Sequence, residues 1–145
     1  MKSLKINTTG IRLAINDDEN RIIEFDPEDQ GFINRYYTML TDFDAKKNEF
    51  IARAAEIDKI EGTNPYGIEL SEIEGNKLII EMCNYMKEKI DFVFGEGTSE
   101  KAFGNAVKTD MIDQFLSGVS EFIVESRNSK MKKYLESNAD KGVMK

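Results

Sequence analysis

The sequence predicts an α+β fold, mainly helical: an N-terminal β-hairpin followed by about three long helices, with a short helical elbow between the last two. Three observations carry this. The first 25 residues alternate polar and apolar, the period of a half-buried strand. Apolar residues then recur three, four and seven apart across three separate stretches, the period of a helix face. Between the last two stretches stands Phe94-Gly95-Glu96-Gly97-Thr98-Ser99-Glu100-Lys101-Ala102-Phe103-Gly104, in which two Phe-Gly pairs bracket a tight turn. A chain of 145 residues fits one domain, 1–145, divided into a hairpin (1–25), a helical body (26–135) and a disordered tail (136–145).

In the hairpin, Leu4 and Ile6 alternate first, and Ile11, Leu13 and Ile15 alternate after Thr8-Thr9-Gly10, where Gly10 can shift the register through a bulge. Asn16-Asp17-Asp18-Glu19-Asn20 is a polar turn, and Ile22, Ile23 and Phe25 form the return strand. A lone hairpin is marginal in water, so it must pack on the helices or pair with another copy.

Asp26-Pro27-Glu28-Asp29 is a helix start, with Asp26 as cap and Pro27 at the first helical position. The first long helix is expected to reach about Lys59, with a stripe of Phe32, Tyr36, Met39, Phe43, Phe50 and Ile57. Lys46 and Arg53 interrupt the seam, which favours packing on the other helices over a regular coiled coil. Glu61 to Gly67 is a loop.

The second helix is expected from Ser71 to Phe94, with capping-box spacing between Ser71 and Glu74. Its stripe is Ile73, Leu78, Ile79, Met82, Met86, Ile90 and Val93. Gly75 marks either a later start or a close helix contact. Gly95 follows the last periodic residue, where a left-handed conformation stops a helix, and Thr98 or Ser99 can cap the turn that follows. The third long helix is expected from Thr109 to Leu135, with Ile112, Phe115, Leu116, Val119, Phe122 and Ile123 as its stripe.

Composition excludes several functions. The net charge of −7 argues against a bare nucleic-acid binder, which needs a basic face to neutralise phosphates. No apolar run approaches a membrane span and no signal peptide opens the chain, so the cytoplasm is the expected location. Without histidine, the usual neutral-pH base and commonest transition-metal ligand is missing, and no catalytic residue, cofactor or metal site is expected. The glycine-rich elbow departs from a phosphate loop: its lysine is Lys101 rather than the residue after the second glycine, and a helix precedes it. Asp17-Asp18-Glu19 lacks calcium-loop spacing and reads as a solvated turn. Cys83, the lone cysteine, reads as a small buried hydrophobe.

Two further features bear on partners. Adjacent helical residues diverge by about 100°, so Tyr36 and Tyr37 cannot both be core, and the exposed one is a candidate contact, with Met86. Arg127, Lys130, Lys132, Lys133, Lys141 and Lys145 make the C-terminal third basic. They either complement the helix dipole or meet an acidic surface, such as another copy's.

The elbow residues Phe94, Gly95, Gly97, Thr98, Phe103 and Gly104, together with Glu24-Phe25-Asp26-Pro27-Glu28-Asp29 before an aromatic-rich helix, resemble the tail-assembly-chaperone-type proteins of long-tailed phages and prophages of Gram-positive bacteria. The resemblance implies a non-enzymatic helical protein that self-associates and coats hydrophobic helices of the tape-measure protein until tail tube subunits replace it. It leaves open a structural tail component retained in the particle, or a generic helical oligomeric interaction protein.

Overall fold

A computed structural model describes the backbone of residues 1–8 and 10–143, and the side chains of these except 130, 133, 134 and 137–143. Strands β1 (Ile11–Ala14) and β2 (Ile22–Phe25) are followed by helices α1 (Gln30–Ile57), α2 (Leu70–Phe94), α3 (Thr98–Phe103) and α4 (Thr109–Val143). The α+β, mainly helical architecture is as the sequence indicates.

The two strands pair antiparallel, with Ile11 opposite Phe25 and Leu13 opposite Ile23. Asn16 and Asp17 take left-handed conformations in the turn, which short polar side chains tolerate. Leu4 and Ile6 belong to no strand and are exposed, and the register shows no bulge at Gly10. A strand needs a partner ladder, and β2's four residues are already matched by Ile11–Ala14. Thr9 lies outside the described residues.

The first helix starts later than expected. Pro27 and Glu28 form a turn in which the Asp26 carboxylate accepts the Glu28 N–H at 2.9 Å. Asp29 is the cap, accepting the Gly31 N–H at 2.9 Å. Asp26 is thus a turn former and not the cap, and Pro27 precedes the helix. In α2 the residue before the first turn is Glu69, without a side-chain cap; the Ser71–Glu74 box does not form, and Glu74 pairs with Lys77 instead. Gly75 has no close neighbour where a Cβ would stand, so neither expectation for it holds.

The expected end of the last helix at Leu135 is also corrected. Its backbone stays helical to Val143, which replaces the expected disorder over residues 136–143; residues 144 and 145 lie outside the described residues. No proline interrupts this stretch, and a helix once nucleated propagates through residues such as Leu135, Glu136 and Ala139.

The core joins the hairpin to all four helices. Phe94 lies at its centre, with ring centroids 5.3 Å from Phe25, 5.4 Å from Phe32 and 5.3 Å from Phe115. Each contact is edge-to-face, the arrangement ring quadrupoles favour. Ile23, Met39, Ile90, Val93, Phe103, Ile112, Val119 and Ile123 are among the side chains buried around it. Cys83 is fully buried, as expected, and burial raises its thiol pKa. Phe92, by contrast, is exposed.

An open apolar groove and a glycine elbow

The elbow forms because glycine stands where the backbone requires it. Gly95 ends α2 at φ +116°, ψ 149°, and Gly97 precedes α3 at φ +88°. These regions are strained for residues with a Cβ. Phe94 and Phe103 are buried, and Gly104 closes α3 at φ +59°. Thr98, also buried, donates its hydroxyl to the Gly95 carbonyl at 2.7 Å. Neither Thr98 nor Ser99 caps α3, however. The cap comes from Asp91 on α2, whose carboxylate accepts both the N–H and the hydroxyl of Ser99.

Two basic residues fasten the elbow to its surroundings. Arg21, from the hairpin turn, donates to the carbonyls of Lys101 and Ala102 at 2.7 and 3.1 Å, satisfying the end of α3. Lys87 of α2 donates to the Ala106 carbonyl at 2.6 Å. Sequence reasoning missed Asp91, Arg21 and Lys87, since each acts across a chain reversal or from another element. The six elbow residues are brought together, and their arrangement is structural: glycine turns, buried rings and internal hydrogen bonds.

The candidate binding surface lies on the other side of α2. Helices α1 and α2 run antiparallel, tied by a two-point Arg53–Glu81 pair (2.9 and 2.7 Å) and by Lys89–Asp42 at 2.9 Å. The cations that interrupt the seam are thereby used. Lys46 sits 5.6 Å from the Phe50 ring and 5.4 Å from the Tyr85 ring, and Arg53 lies 5.8 Å from the Phe50 ring. The bidentate Glu81 contact raises the Arg53 pKa, and the Arg53 guanidinium lowers that of Glu81; Asp42 raises that of Lys89.

Helix α4 covers only part of this pair. Its first turns, at Thr109 and Asp113, border the α1–α2 surface, and its buried side chains then follow the core near the hairpin. Beyond Met86 the two helices are left open along a groove of about 460 Å³. Phe50, Ile51, Leu78, Ile79, Met82 and Met86 form its apolar wall. Asp44, Lys47 and Asp113 stand at its edges.

The expected contact residues separate. Tyr36 is 7% exposed and belongs to the core, which corrects its candidacy as a contact. Tyr37 is 49% exposed, as the divergence of adjacent helical residues requires. Met86 is half-buried on the groove wall, whereas Tyr37 is not among the groove's lining residues. Ile51, which no stripe included, and Ile79, expected in the core, are 57% and 47% exposed in the groove. Arg127 and Lys132 lie on α4, while the side chains of Lys130, Lys133 and Lys141, and all of Lys145, lie outside the described residues.

Among the described residues, no group of three or more His, Cys, Asp or Glu side chains is placed to hold a metal ion. No described helix is long and apolar enough to cross a membrane. No curated protein and no solved structure matches the chain. A family model does match, and it takes in the return strand, the elbow and all four helices. The chain belongs to the family described as "Family of unknown function (DUF6673)", whose model matches residues 18–145.

Proposed function

We propose that this chain is a non-enzymatic phage tail morphogenesis protein: a tail assembly chaperone that binds the tape-measure protein and self-associates, working in the cytoplasm of the host bacterial cell. The observation that carries the reading is the open apolar groove between α1 and α2, together with an elbow whose Phe-Gly and Gly-Thr pattern resembles that of tail assembly chaperones. A groove of this kind receives the apolar face of an amphipathic helix. Met82 and Met86 on its wall suit a client whose helices differ along their length, because an unbranched thioether adapts to many shapes. Tyr37, exposed near the start of α1, is a second contact.

Pull-down of a tape-measure fragment by the wild-type chain, by Ile79→Glu on the exposed groove wall and by Tyr37→Ser tests this reading. Both variants are expected to retain helicity and to recover less fragment. Undiminished recovery by both contradicts it. A second reading, a structural component retained in the particle, is favoured by the hairpin: in a two-stranded sheet each strand leaves one edge unpaired, and a neighbour can add a strand there. Mass spectrometry of purified particles separates the two, since a chaperone is absent from them and a component is present.

A further inference from the structure

We propose that the α1–α2 groove of one copy is filled by the distal half of α4 from a second copy. This rests on the self-association in the function proposed above and not on the tape-measure contact.

Four features point to this occupant. The first is the stripe on α4 itself. Past Ile123, the last core residue of α4, Val124, Met131 and Leu135 are all exposed and stand seven and four residues apart. That spacing puts them on one face of a helix. The second is length. Phe43 to Ala54 on the groove and Val124 to Leu135 on α4 are equal stretches of helix, each about 17 Å at about 1.5 Å per residue.

The third is charge. The charged groups that line the groove itself, Asp44, Lys46, Lys47 and Asp113, balance, but the wider surface of residues 44–81, the second half of α1 with the loop after it and the first turns of α2, holds nine carboxylates against five cations, a net −4. Four of those cations are already paired: Lys46 with Glu49, Arg53 with Glu81, Lys59 with Glu56 and Lys77 with Glu74. Residues 124–135 hold one carboxylate against four cations, a net +3. Opposite potentials steer the encounter and reject a mismatched pairing. The fourth is direction. Asp113 borders the groove and α4 continues from it as one helix, so Val124 lies about 17 Å further along the axis, away from the groove of its own chain. The arm therefore meets a groove only on another copy.

A self-filled groove has a consequence for the client: a tape-measure helix must displace the arm, so binding and self-association compete at one surface.

The test uses the full chain. Light scattering across a concentration series measures association of the wild type, of Met131→Glu/Leu135→Glu, and of Ile51→Glu. All three positions are exposed, so circular dichroism is expected to show an unchanged fold. The expected result is association of the wild type and at least a tenfold weaker constant for both variants. Separately, a benzophenone side chain replacing Asn128 is photolysed in a mixture of isotopically light and heavy copies. Crosslinks are expected between copies and onto residues 43–54 or 78–86. A wild type that stays monomeric at high concentration overturns the proposal. So do variants that associate as the wild type does, or crosslinks that join α4 to α4. The solubility of a co-expressed tape-measure fragment is a separate readout, so failure here is distinguishable from failure of the chaperone reading.

Discussion

The Asp91 carboxylate accepts two hydrogen bonds from one residue, the backbone N–H of Ser99 at 2.7 Å and its hydroxyl at 2.9 Å. Ser99 is buried, so these groups have no water to turn to if the carboxylate is removed. Asp91→Ala is expected to cost about 1–3 kcal/mol, and Ser99→Ala less, since it keeps the N–H bond. Thermal unfolding of the two variants checks the order; a smaller loss for Asp91→Ala contradicts the cross-helix cap.

Gly95 holds a conformation that a β-branched residue cannot adopt without strain. Gly95→Val is expected to destabilise the fold by about 1 kcal/mol or more. Because Phe94 precedes it in the core, the loss is expected to appear as a lower melting temperature of the whole domain. An unchanged melting temperature is the contrary result.

Neighbouring tyrosines have opposite fates. Tyr36 stacks near Phe32 at 6.4 Å inside the core, so Tyr36→Ser is expected to cost about 3 kcal/mol or more. Tyr37 is half exposed, and Tyr37→Ser is expected to stay within about 0.5 kcal/mol of the wild type. Denaturant melts of both give the comparison, and equal losses count against the assignment of faces.

The Arg53–Glu81 pair sets a pH dependence. Arg53 holds the Glu81 pKa below its ordinary value, so the pair's stabilisation is complete above that ordinary value and fades as pH falls through the lowered one. Arg53 stays charged throughout this range. Wild type and Glu81→Gln are therefore expected to differ in melting temperature at pH 7 and to converge as the pH falls through the lowered Glu81 value. Both groups are solvent-exposed, so the difference is expected to be small and to shrink in salt. A gap that does not narrow as the pH falls contradicts the linkage.

Much of the architecture was legible in the chain. Period-2 alternation marked Ile11–Ala14 and Ile22–Phe25, and period-3.6 stripes marked the long helices, because burial selects those spacings directly. The glycines of the elbow were legible for a different reason: few other residues tolerate their dihedrals. The caps were not. Asp29 competed with Asp26 in one acidic run, and Asp91 reaches Ser99 only after the chain reverses at Gly95. Arg21 meets Lys101 from a distant part of the sequence. The groove was half legible. A stripe tells which residues are apolar, but where α4 stops covering Ile79 and Met82 depends on the angle at which it leaves the elbow.

The central claim is that this chain keeps hydrophobic tape-measure helices in solution. The most direct measurement is the soluble fraction of an otherwise insoluble tape-measure fragment, expressed with and without the full chain. The fragment is expected to become soluble and to co-purify with the chain, and Ile79→Glu is expected to reduce that rescue while the fold stays intact. A fragment equally insoluble in both cells contradicts the chaperone account and moves the retained tail component ahead of it.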